Sequence, residues 1–345
     1  LVRRAVEQRA RVEARRLVRA LSLMRPRGVS GLARAFVGRD QELDRLGGAY
    51  RATVEQREPR LVTIPGDAGV GKTRLVRELW HLLAEQNPEP LRRTGRCLSY
   101  GTGTAYWALA EVLREHLGLL ESDAPEVALD RLGGREILGL TLGLDVARDL
   151  HPLAVRDLFQ DAWTEFLTEV VADQPSVVLV EDIHWAEPQL LDLIEHVLGS
   201  ARGPLLVLAT ARPELLEHRP GWGARSGGEL LELDPLSARD ADRMLDEMLA
   251  GGLPAELSDL VVERAEGNPF FVEELLGVLI DPAGVTRPAA GHQDRLGRLL
   301  RSGQTRVPRG LRRFLHRPVH QGQHAVRRRQ QHRRTRCRGG DLRRH

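Results

Sequence analysis

Eight consecutive residues, Gly66, Asp67, Ala68, Gly69, Val70, Gly71, Lys72 and Thr73, fit the spacing Gly-x-x-x-x-Gly-Lys-Ser/Thr at every required position. A short apolar run, Leu61 to Pro65, precedes them and suits a buried strand. The segment 71–86, GKTRLVRELWHLLAEQ, follows with helical spacing. Strand, glycine turn and helix form the context that gives this motif its meaning. Gly66 and Gly71 let the backbone turn tightly and approach a polyphosphate without a Cβ in the way. The N–H groups from Asp67 to Val70 and the helix N-terminus, with Arg74 in its first turn, form a concave anion site.

Composition singles out the same place. Lys and Arg together number 51, and the one Lys is Lys72. A compact ammonium suits β- and γ-phosphates better than a broad planar guanidinium. A chain that otherwise uses Arg has kept Lys where that shape matters. The Thr73 hydroxyl is placed to ligate Mg²⁺.

A second apolar run, Ser176 to Val180, delivers two carboxylates, Glu181 and Asp182, at its C-terminal end. Ligands bind beyond that end of strands in open α/β sheets. One acid is expected to hold Mg²⁺ through water and the other to orient or deprotonate the attacking water. Neighbouring strand residues face opposite sides, so the two roles differ. Register favours Glu181 for the metal and ligand chemistry favours Asp182, and the choice stays open. His184 and Trp185 beyond them read either as packing for the next helix or as a γ-phosphate contact. A third apolar run, Pro204 to Thr210, leads to Arg212, which reads as a γ-phosphate sensor or as a surface arginine.

The pattern along the chain predicts helices at 40–57, 71–86, 106–118, 125–132, 154–172, 188–199, 237–250, 256–265 and 270–279. It predicts strands at 61–65, 97–100, 176–180, 204–210 and 229–234. Strands alternating with helices imply a parallel sheet covered on both faces. The expected organisation is a basic N-terminal helix or linker over 1–35, a P-loop ATPase core over 36–234, a small helical lid over 235–281 and a disordered basic tail over 282–345.

The formal net charge of +3 hides a strong asymmetry. Residues 1–36 hold 10 Arg and 2 Glu, and residues 282–345 hold 18 Arg and 2 Asp. That leaves 23 basic against 44 acidic residues over 37–281, a net of −21. The tail has few apolar residues and cannot offset its ordering entropy. Its Arg, Gly, His and Gln composition matches a shifted reading frame in GC-rich DNA. A disordered linker, or a nucleic-acid arm around RRRQQHRR, are the other readings. Nucleic acid is therefore not an expected partner of the acidic body. No apolar run approaches the roughly 18–20 residues of a membrane helix, and the first residues lack a signal-peptide core. Two Cys, Cys97 and Cys337, make no disulfide scaffold or thiolate metal site. A cytoplasmic setting is the expectation, and the absence of an initiator Met suggests a fragment or processed product.

With these residues in view, the chain resembles the signal-transduction ATPases with numerous domains, a branch of the AAA-like P-loop proteins, from about residue 36 to 280. FVGRDQEL, 36–43, looks like the group's opening motif, which implies that Val37, Gly38 and Arg39 lie near adenine and ribose. EDIHWAEP resembles its extended acidic motif, with Glu187 where Asp is usual, and LATARPE resembles its arginine sensor. AEGNPFFVEELL, 265–276, resembles the motif in which a Gly-x-Pro turn, here Gly267 to Pro269, presents Pro269 to adenine. The resemblance implies an ATP- and Mg²⁺-dependent regulatory switch. The ATPase modules of large LuxR-type regulators and of multidomain bacterial adenylate/guanylate cyclases look most similar, and an origin-recognition-type AAA protein acting on DNA is a third reading. Partners implied are ATP and ADP, other domains of a larger signalling protein, and a second copy of the chain in a homo-oligomer.

Overall fold

The computed structural model describes residues 36–99, 105–224, 227–249 and 253–280. The basic helix or linker expected over 1–35 and the tail from 282 lie outside the described residues. The described chain forms two compact units, which divide between Pro235 and Leu236.

The first unit is built on a five-stranded sheet in the order β2-β3-β4-β1-β5. The strands are β1 (Arg60–Pro65), β2 (Leu91–Arg96), β3 (Ser176–Glu181), β4 (Leu205–Ala211) and β5 (Glu229–Leu230). Every pairing is parallel. Such a sheet is buried on both faces, which explains why β3 and β4 read as unbroken apolar runs. Side chains alternate between two cores. Val62, Ile64, Val177, Leu179, Leu206 and Leu208 face one side. Leu61, Val178, Val180, Leu205, Val207 and Ala209 face the other. Each fully buried Leu or Val contributes about 1.5–3 kcal/mol before ordering costs.

Two helices cover the first face, α1 (Asp40–Gln56) and α2 (Lys72–Ala84). On the second lie α3 (Trp107–Leu117), α4 (Pro125–Leu132), α5 (Pro152–Asp173) and α6 (Pro188–Ser200). Proline opens α4, α5 and α6, where its missing N–H costs nothing and its fixed φ suits a helix start. Asp40 is the first helical residue of α1, where its charge suits the positive helix end. A short helix, α7 (Glu214–His218), follows β4.

The second unit holds α8 (Ala238–Met248), α9 (Ala255–Ala265) and α10 (Pro269–Ile280). Ser237 caps α8, its hydroxyl accepting the Asp240 N–H at 3.1 Å. Ala241, Met244, Leu245 and Met248 are buried at helical spacing on α8, as are Val261, Ala265, Val272 and Leu276 on the other two helices.

The parallel sheet and its flanking helices match the expected P-loop architecture. Three local readings need correction. The strand expected at 97–100 lies at Leu91–Arg96, because three arginines in LRRTGR mask a strand whose buried positions are Arg93, Thr94 and Gly95. The edge strand expected over 229–234 is formal only at Glu229–Leu230, although Leu231 N–H and Leu233 N–H still donate to the Thr63 and Pro65 carbonyls. Two 3₁₀ segments, Glu136–Leu142 and Ile183–Trp185, were not anticipated, since such short segments carry too little periodicity to read.

Gly95 is where β2 meets α3. A Cβ there would lie 1.9 Å from the Ala108 carbonyl oxygen, while one at Gly199 in α6 would meet nothing within 4 Å. Gly95→Ala is therefore expected to destabilise the chain by about 3 kcal/mol or more, and Gly199→Ala to change it by under ~1 kcal/mol. Urea unfolding of the two variants checks the contrast.

Candidate functional site

The phosphate-type loop runs from the end of β1 into α2. Gly69 and Gly71 have φ of 89° and 107°, conformations that a side chain rarely adopts. Around Gly71 a Cβ would meet nothing within 4 Å, so the loop leaves open space on that side. Gly66 is confined instead, with Val70 and the Leu233 carbonyl within 3.2 Å of a would-be Cβ. Leu75 N–H donates to the Gly71 carbonyl at 2.9 Å, which starts the helix. Asp67, Ala68, Gly69 and Thr73 are exposed, and Val70 is buried beneath them.

Lys72 donates from Nζ to the Gly66 and Asp67 carbonyls at 2.5 and 2.9 Å. Burial pulls its ammonium below the usual lysine value, Asp182 holds it up and Arg212 pushes it down. The loop, the acidic strand end and Arg212 thus converge electrostatically. The sheet register explains why. Pro65 of β1 pairs with Ala211 of β4, and Val180 of β3 with Ala209. The residues that follow all three strands therefore emerge at one edge.

The two acids differ in surroundings. Glu181 is buried and accepts from Arg96 Nε at 3.0 Å and Nη2 at 2.6 Å. Arg96 and Glu181 are register partners on β2 and β3. Burial works against the Arg96 charge, but the Glu181 carboxylate overrides it and holds the guanidinium above its ordinary value. Asp182 is 45% exposed and takes left-handed backbone at φ 56°, which turns the chain out of the strand. Its N–H donates to Thr210 Oγ1 at 3.1 Å, and its carboxylate lies 3.8 Å from Arg96 Nε. His184 stacks on Trp185, with ring centroids 4.9 Å apart. Burial lowers His184 to about 4, so the ring is neutral near pH 7.

Of the opening motif, Val37 is buried and Gly38 has φ 68°. The Arg39 guanidinium is tied to Glu42 at 3.0 Å, to the Val70 carbonyl at 3.3 Å and to the Asp234 carbonyl at 2.5 Å. It braces the loop from below. Arg74 pairs with Glu78 at 2.8 Å and lies over the Phe36 ring. Pro269 begins α10 in the second unit, after a turn with Glu266 at φ 48° and Gly267 at φ 73°.

Three contributors escaped the sequence reading. Arg96 was hidden because β2 was placed too late. Thr210 lay inside an apolar run, and Glu214 followed Arg212 without a motif of its own. No local signal marks Arg96, since its partner Glu181 lies on another strand.

The comparisons with known proteins meet this geometry at the loop. Residues 35–208 match the AAA ATPase domain family. The chain belongs to the AAA ATPase domain family. A second match, to a domain of unknown function, covers residues 244–286. An uncharacterized protein of Rhizobium meliloti is 28% identical over 258 residues, which is 70% of this chain and 24% of that protein. The chain therefore spans about a quarter of that relative's length. Among solved structures, the Orc1 protein of Aeropyrum pernix in complex with DNA is 16% identical, at a TM-score of 0.48, with 78% of this chain and 67% of that one covered. A Signal Transduction ATPase with Numerous Domains protein of Pyrococcus horikoshii, with a tetratricopeptide repeat sensor, is also 16% identical. Its TM-score is 0.40, with 80% of this chain and 34% of that one covered. Among the described residues no helix is long and apolar enough to cross a membrane.

Removing Arg96 would strand a buried carboxylate. Arg96→Ala is expected to cost about 1–3 kcal/mol of stability. Adding Glu181→Gln should restore part of that loss, because a neutral amide needs no counter-charge. Urea denaturation of the single and double variants measures the coupling, and strictly additive losses would refute the pairing.

Proposed function

We propose that the chain binds ATP with Mg²⁺, hydrolyses it slowly and uses the exchange as a conformational switch within a larger signalling protein. The observation that carries this reading is the placement of the single lysine. Lys72 stands at the first position of α2, under an open glycine loop, with the charges of Asp182 and Arg212 acting on it. The loop fits a polyphosphate, since its glycine conformations leave space and its lysine already satisfies two carbonyl acceptors that a phosphate oxygen can replace.

In this reading the loop N–H groups from Asp67 to Thr73 and the Lys72 ammonium hold the phosphates. Thr73 and Asp182 are the residues for Mg²⁺, which when bound supplies charge neutralisation across the β- and γ-phosphates. Asp182 is favoured over Glu181 because it is more exposed and acts on Lys72, whereas Glu181 is engaged by Arg96. Glu181 then serves to orient the attacking water once Arg96 lets go. Arg212 senses the γ-phosphate. Val37 and Gly38 are assigned to adenine by their motif. Arg39, which the same motif assigns to the ribose side, also supports the site through Val70.

The output is a matter of proposal too. That the match covers only 24% of the relative supports a chain that works beside other domains, as regulators and cyclase-linked ATPases do. The net charge of −21 over 37–281 disfavours direct duplex binding by this body. Titration calorimetry on the 345-residue chain is expected to show ATP binding that needs Mg²⁺ and disappears in Lys72→Ala. Binding that survives Lys72→Ala would place the nucleotide elsewhere.

A further inference from the structure

Two side chains beside the loop have polar atoms with nothing to bond. Both ring nitrogens of His184 are buried without a hydrogen-bond partner. Glu214 Oε2, at the start of α7, is buried and unpartnered as well. α7 packs against the 3₁₀ turn that carries His184, so the two residues sit on touching elements. The charges of Lys72, Asp182, Arg212 and Glu214 all act on the His184 ring. Those of Asp182, Arg212 and Glu214 also act on Lys72. The orphaned atoms therefore border the space assigned to the terminal phosphate.

Their chemistry selects an occupant. An imidazole offers at least one N–H donor in either protonation state, and a carboxylate only accepts. A phosphate oxygen, itself an acceptor, can satisfy only the imidazole N–H, and the Glu214 carboxylate would repel it. A water can accept that N–H, donate to Glu214 Oε2 and donate its second hydrogen to a phosphate oxygen. Buried polar atoms without partners cost stability, so a state that supplies the water is favoured over one that does not.

We propose that His184 and Glu214 form a water-holding pair that reads the terminal phosphate and lets the site tell ATP from ADP. Both are positioning residues. The inference rests on the nucleotide reading above and adds the means of discrimination.

Calorimetric titration of the full chain with ATPγS and with ADP, in Mg²⁺, tests it. In His184→Ala and in Glu214→Ala, ATPγS binding is expected to weaken about tenfold while ADP binding stays within about twofold. His184→Gln keeps a donor and an acceptor and should recover most of the loss. Without nucleotide, the alanine variants should melt at or above the wild-type temperature, because atoms that lacked partners are gone. Equal weakening of both nucleotides, no weakening of either, or melting well below wild type would each overturn the pair. A wild-type chain that binds neither nucleotide overturns the nucleotide reading itself. Wild-type binding with an unchanged ATPγS preference in both alanine variants overturns only the pair.

Discussion

At the end of β1 the chain turns on two glycines with positive φ and drives straight into α2. The loop N–H groups and the helix dipole gather positive potential at that turn, and Lys72 adds a full charge. The rest of the first unit serves this point. Parallel pairing of β1, β3 and β4 brings their C-terminal ends to one edge. Only then do Asp182 and Arg212, far apart in sequence, act on the same ammonium. Arg39 fixes the loop from the other side by binding the Val70 carbonyl.

Much of this was legible because it depends on local rules. The strand–loop–helix around 61–86 follows from an apolar run, glycine spacing and helical periodicity. The central strands, Ser176–Glu181 and Leu205–Ala211, are buried on both faces, so Val177 to Val180 and Leu205 to Ala209 are apolar without interruption. Prolines mark three helix starts. The lone lysine drew attention through chemistry rather than pattern.

What stayed hidden depends on partners that lie far along the chain. β2 carries arginines at positions where apolar residues would announce a strand, since Arg92 reaches the Trp80 carbonyl and Arg96 reaches Glu181. Its register with β3 cannot be read from either strand alone. Likewise, the burial of Glu181 and the exposure of Asp182 cannot be seen in the sequence, where the two acids are simply neighbours. His184 was ambiguous for the same reason: orphaned nitrogens exist only in three dimensions. The charge count changes meaning as well. The acidic surface belongs to the folded body, and the basic excess belongs to the ends.

The central claim is that this site needs the shape of an ammonium, and not just a positive charge. Calorimetric titration of Mg²⁺-ATP into the wild-type chain and into Lys72→Arg tests that most directly. The account predicts saturable binding by the wild type and at least about tenfold weaker binding by the arginine variant, although its charge is unchanged. Equal affinity in the two proteins would contradict it.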